Sequence, residues 1–173
     1  MSKIVINNLK ELAALAGKLA DAFKNGQCQK VGLIGPLGAG KTTFVGAVAR
    51  ALGYGKNTSS PTFIIMHEYA TPSGLLLHVD LYRLNPKDKE TVSMVLEKID
   101  AADFALVEWA DRVLSIENKL ERIYEISYNG SHSARTIQIR TSPRAADVGS
   151  GPGFRVKHGM TQKTNGTRIY NLP

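Results

Sequence analysis

The stretch GPLGAGKTTF at residues 35–44 constrains the fold of this chain more than any other. Its first eight residues match G-x-x-x-x-G-K-[ST], a phosphate-binding loop that works only between a β-strand and the N-terminus of an α-helix. The flanks meet that demand. Lys30–Ile34 is a short apolar run of strand length, and Phe44, Val45, Val48 and Leu52 recur at helical spacing from Lys41 until Gly53 stops the helix. The motif therefore predicts an α/β fold of the P-loop nucleotide-binding kind, a mainly parallel central sheet flanked by helices.

The remaining segments fit that frame. A strand at Lys3–Ile6 precedes an amphipathic helix near Lys10–Lys24, which Asn25 and Gly26 end. SSPTFIIMHEYAT (59–71) is a β-branched run with a Pro-Ser-Gly turn after it, and LLLHVDLYRL (75–84) reads as a second strand. A helix is predicted between Asp88 and Lys98, and FALVEWADRV (104–113) as a further strand. Alternation on both sides of Asn129-Gly130 predicts a C-terminal antiparallel hairpin. One domain is expected over 1–141. Residues 142–173 are rich in Gly, Pro, Ser and Thr and read as a basic, largely disordered tail.

Charge and composition narrow the classes. The chain carries +7, but Arg144, Arg155, Lys157, Lys163 and Arg168 against Asp147 put +4 of it in the tail. Direct nucleic-acid binding is thus allowed and not demanded, and no aromatic stacking platform accompanies the charge. There is no apolar run of about 18 residues and no secretory h-region, so a cytoplasmic protein without a membrane anchor is expected. Cys28 is the only cysteine, and His67, His132 and His158 form no metal-ligand spacing with it.

The loop's chemistry follows from its residues. Gly35, Gly38 and Gly40 accept positive φ and leave backbone N–H groups open to phosphate, with Ala39 part of the same cradle. Lys41 is placed to reach the β- and γ-phosphates of ATP, and the Thr42 hydroxyl to ligate Mg²⁺. Thr43 is a second hydroxyl, near the α-phosphate or the water shell of the metal. An enzyme of this class also needs an acid at a neighbouring strand end. Asp80 and Glu108 both qualify, one to hold magnesium through water and the other to position the nucleophile. His78 faces the same side of its strand as Asp80, and Trp109, the only tryptophan, adjoins Glu108. Asn118-Lys119-Leu120-Glu121 approaches the guanine-reading N-K-x-D pattern with Glu for Asp, and reads instead as a polar helix segment, so adenine is favoured. A small-molecule (nucleoside-type) P-loop kinase is the alternative. It would need an acceptor pocket and an arginine-bearing lid, for which Arg83 and Arg112 are the candidates.

GPLGAGKTTF, SSPTF, HVDLYRL and LVEWADR, in this order and spacing, together resemble one family: TsaE (older name YjeE), the bacterial ATPase subunit of tRNA threonylcarbamoyladenosine biosynthesis. The likeness covers roughly residues 1–140. It implies a small α/β ATPase, weak alone, that resets a complex with the TsaD and TsaB subunits. Those partners attach threonylcarbamoyl to the adenosine beside the tRNA anticodon, so contact with tRNA is indirect. Carried over by position, Lys41, Thr42 and Thr43 serve phosphate and magnesium, and Ser60, Pro61 and Thr62 form a switch-like loop near the γ-phosphate. Asp80 and Glu108 are the acids, and Trp109 lies beside the nucleotide or the partner interface. Two positions depart from the family pattern. Pro36 stands where Asp is usual, and Ala14 replaces a hydroxyl residue often found near the adenine.

Overall fold

The computed structural model describes residues 2–56, 65–129, 131–142 and 167–170. In chain order the elements are β1 (Ser2–Ile6), α1 (Leu9–Lys24), β2 (Lys30–Ile34), α2 (Lys41–Ala51), β3 (Met66–Thr71), β4 (Gly74–Asp80), α3 (Lys89–Ala101), β5 (Phe104–Glu108), α4 (Leu114–Glu117), β6 (Arg122–Asn129), β7 (Ser131–Thr141) and β8 (Thr167–Tyr170). They form one sheet in the order β1-β7-β6-β2-β5-β4-β3-β8. The expected parallel core is β6-β2-β5-β4, and the expected hairpin is β6–β7. Antiparallel pairing extends both edges, through β1 on β7 and through β3 on β4. Of the segment after Ser142, Thr167–Tyr170 pairs antiparallel with β3, and the rest lies outside the described residues.

Alternation along the central strands builds two cores. Phe104 and Leu106 of β5 and Leu76 of β4 pack on the α1/α2 side, where Phe23 stacks on Phe104 at 5.0 Å between ring centroids. Ala105 and Val107 of β5, with Leu77 and Val79 of β4, pack against Val95 and Ile99 of α3 on the other side. The starts of α1 and α3 are capped by side chains, Asn8 accepting from Glu11 N at 2.9 Å and Asp88 from Thr91 N at 3.1 Å.

Three boundaries differ from the sequence-based expectation, each for a local reason. β4 stops at Asp80 rather than running to Leu84, because the Asp80 carboxylate accepts Tyr82 N at 3.0 Å and turns the chain. β5 stops at Glu108, because Trp109 takes a left-handed backbone (φ 57°) that leads into a 3₁₀ turn at Ala110–Arg112. The NKLE segment is not helical: α4 ends at Glu117 and the chain turns, while Glu121 Oε1 accepts Gln29 N at 3.0 Å and Lys30 N at 3.2 Å. Its carboxylate is drawn to the start of β2.

Candidate active site

The loop between β2 and α2 is held from outside by the β6–β7 hairpin. A Cβ on Gly35 (φ 147°) would fall 2.2 Å from Ile126 O, so only glycine lets the chain pass β6 there. Further along, the Tyr128 hydroxyl donates to Leu37 O at 2.8 Å, and Arg135 Nε donates to Ala39 O at 3.0 Å. The Arg135 guanidinium lies 4.5 Å above the Tyr128 ring centroid. A trans peptide carries its N–H opposite its carbonyl. Drawing these two carbonyls toward the hairpin therefore turns the N–H groups of Gly38 and Gly40 the other way. At Gly40 (φ 103°) nothing lies within 4 Å of where a Cβ would stand, so the cradle is open at that point.

α2 begins at Lys41, whose residue is only 4% exposed. Its ammonium donates to Gly35 O at 2.8 Å and Pro36 O at 2.9 Å and sits 3.8 Å from the Trp109 ring centroid. Burial holds its pKa below the ordinary lysine value, opposed by the charges of Glu108, Asp80 and Asp111. Pro36 thus takes part through its carbonyl, which proline retains. Trp109 is fixed in turn by its own N–H, 2.9 Å from Leu33 O, and by Tyr82, whose ring centroid is 5.0 Å away.

Asp80 and Glu108 are register partners at the ends of β4 and β5, and both are buried on the α1/α2 side. Glu108 Oε1 accepts the Thr42 hydroxyl at 2.8 Å and His78 Nε2 at 2.8 Å. A threonine hydroxyl has one proton and two lone pairs. Giving the proton to Glu108 leaves the lone pairs for a cation, so the donor set fits magnesium, a hard ion that takes oxygen ligands and keeps several waters. Thr43, the next residue round α2, faces away from Glu108 and lines a different cavity.

That cavity, of about 240 Å³, lies on the other side of the loop from Glu108. Gly38, Gly40 and Thr43 line it together with Asn8, Leu12 and Arg135. Sequence reasoning missed Asn8, Tyr128 and Arg135 because nothing in their local sequence marks them. Tyr128 and Arg135 reach the loop across 91 and 96 residues, and only the hairpin pattern hinted that β7 exists. Ala14 is exposed, and α1 lines the cavity with Leu9 and Leu12 instead. Ser60, Pro61 and Thr62 lie outside the described residues. The structure thus brings Gly35, Gly38, Ala39, Gly40, Lys41, Thr42, Asp80, Glu108 and Trp109 to one end of the parallel core, with Thr43 on its flank.

A family model described as threonylcarbamoyl adenosine biosynthesis protein TsaE matches residues 6–137. The chain is similar to the Aquifex aeolicus protein named tRNA threonylcarbamoyladenosine biosynthesis protein TsaE, 38% identical over 115 residues, 65% of this chain and 79% of that one. A Bacillus subtilis protein of the same name is 39% identical over 104 residues, 60% of this chain and 63% of its own length. Among solved structures, the crystal structure of Bacillus subtilis YdiB superposes with a TM-score of 0.59 at 27% identity, covering 84% of this chain and 88% of that one. The family match takes in the loop, both strand-end acids and most of the hairpin that holds the loop, and by it this chain belongs to the TsaE family.

Proposed function

We propose that the chain is a Mg²⁺-dependent ATPase subunit required for threonylcarbamoylation of the adenosine next to the tRNA anticodon, acting with TsaD and TsaB in the cytoplasm. The observation that carries the reading is the convergence of Thr42 and a strand-end carboxylate, Glu108, at 2.8 Å beside a buried loop lysine. ATP lies with its phosphates over Gly38–Thr42 and its adenine in the cavity lined by Asn8, Leu12 and Arg135. Lys41 leaves the Gly35 and Pro36 carbonyls for the β- and γ-phosphates, where its charge opposes the negative charge of the transferring group. Thr42 would hold magnesium through its hydroxyl and Glu108 through the hydration shell, and the ion would supply positive charge opposite the phosphates. Asp80, one strand over, orients the attacking water. Trp109 covers the lysine on the nucleotide side, and Thr43 meets the α-phosphate.

Hydrolysis acts as a switch in this reading. The γ-phosphate and its metal order the Ser60–Thr62 loop, and loss of the γ-phosphate releases it, which is how a nucleotide biases a partner's conformation. Support comes from the family membership and from the placement of Thr42, Glu108 and Lys41 around one loop. The test is ATP hydrolysis by the purified chain with and without TsaD and TsaB. Strong stimulation is expected, and Asp80→Ala and Glu108→Ala each lower the stimulated rate about 100-fold or more. Full activity in both variants would sink the residue roles. Phosphoryl transfer to a nucleoside at enzyme-like rates without partners would establish the kinase alternative instead.

A further inference from the structure

Behind Glu108 a line of hydrogen-bonding side chains runs across the buried face of the sheet. His78 on β4 is 0% exposed, and its Nε2 lies 2.8 Å from Glu108 Oε1. On the other side of the ring, Nδ1 is 3.4 Å from the Tyr69 hydroxyl, which is itself 3.2 Å from His67 Nδ1. Antiparallel pairing of β3 with β4 sets His67 opposite His78 and Tyr69 on the diagonal, so the register builds the line.

With Glu108 as carboxylate and His78 as neutral imidazole, the protons along this line have one direction. An ionised carboxylate only accepts, so His78 presents its N–H at Nε2. A neutral imidazole then accepts at Nδ1, where the Tyr69 hydroxyl donates. The Tyr69 oxygen in turn accepts from His67 Nδ1. We propose, on the ATPase reading above, that His78 is a positioning residue: with Tyr69 holding its tautomer, it fixes the Glu108 carboxylate in the orientation that serves magnesium. Glutamate has one more rotatable bond than aspartate, so its carboxylate needs an outside constraint, and Thr42 cannot be that constraint alone because its hydroxyl also serves the metal. Both donors converge on Oε1, so Oε2 is the oxygen that can turn to a hydrated cation. Partners of a direct metal ligand change metal affinity about 10- to 100-fold when removed; His78 acts through Glu108, which reaches the ion by way of water, so the lower end of that range applies.

The test is ADP binding titrated with MgCl₂, alongside binding in EDTA and thermal unfolding. His78→Ala is expected to raise the Mg²⁺ concentration for half-maximal effect about tenfold while leaving the EDTA affinity within about twofold. His78→Gln carries an amide N–H to the reach of Nε2 and restores the Mg²⁺ requirement. His78→Asn is as polar but too short, and behaves like alanine. Tyr69→Phe shifts the requirement in the same direction by less. Should the alanine variant not fold, the Gln and Asn variants decide. A wild-type Mg²⁺ requirement in His78→Asn overturns the proposal, as does loss of ADP binding in EDTA in step with the melting temperature, which marks a purely structural histidine. Wild-type protein whose ADP binding ignores Mg²⁺ overturns the ATPase reading and this one with it.

Discussion

Two glycines of the same loop should fail in different ways when replaced by alanine. At Gly35 the new Cβ would lie 2.2 Å from Ile126 O and 3.2 Å from Ile126 C, far inside contact distance. The obstacle is backbone of β6, which is paired to β2 on one side and β7 on the other and so has little freedom to retreat. Overpacking of this kind costs about 1–3 kcal/mol, and the backbone strain of a side chain at φ 147° adds about 1–3 kcal/mol. At about 2–4 °C per kcal/mol for a chain of this size, the midpoint should fall by about 4–24 °C. Gly40→Ala meets no neighbour within 4 Å, so only the strain of φ 103° is felt and the midpoint should fall about half as far, by about 2–12 °C. Its methyl group instead stands in the open cradle, where ADP binding should weaken tenfold or more by about 1.4 kcal/mol. Thermal unfolding followed by circular dichroism and ADP titration of both variants separate the effects. A Gly35→Ala protein that melts within about 3 °C of wild type would refute the close passage of the loop over β6. Wild-type ADP affinity in Gly40→Ala would remove the phosphates from the cradle.

Two further outcomes follow from buried groups. Burial pushes the Cys28 thiol up from 9.0 to about 12, so the native state keeps its proton while the unfolded chain loses it above pH 9. That contribution to stability is complete below pH 9 and is lost as pH rises toward 12. Comparison with Cys28→Ala in urea unfolding should show the wild type losing about 1.4 kcal/mol more between pH 8 and pH 10, and parallel curves would refute it. The single tryptophan reports on Lys41, whose ammonium lies 3.8 Å from the Trp109 ring centroid. Lys41→Met should alter the nucleotide-free emission spectrum and flatten the response to ADP, whereas identical titrations of the two proteins would show that the contact is not made in solution.

How much of this was legible in the residues depended on sequence distance. Gly35 through Thr43 are contiguous, so a short pattern named them, and the ends of two apolar runs pointed to Asp80 and Glu108. Even there the strands end four and five residues earlier than hydrophobicity suggests. An aspartate that caps its own turn and a left-handed tryptophan override the apolar run. His78 was visible as facing the side of Asp80, but its bond is to Glu108 on the next strand, which needs the β4–β5 register. Tyr128 and Arg135 were illegible. Their contacts with the loop depend on the hairpin folding back beside β2, and a tyrosine or arginine in an alternating strand has no local mark of such a role. Glu121 misled for the same reason, since its partners sit about ninety residues upstream at Gln29 and Lys30.

The hairpin that steadies the phosphate loop also sets a timetable for the protein's birth. On the ribosome, residues 35–42 emerge long before Tyr128 and Arg135, and β2 waits equally long for β6. A nascent chain that has reached α4 therefore carries the complete nucleotide motif without the groups that turn its carbonyls outward. Such pairings between distant parts of a chain form slowly, and domains complete themselves as units. A stalled or truncated product lacking the hairpin should fail to seat a nucleotide. A loop made early in synthesis is thus licensed by strands made near its end.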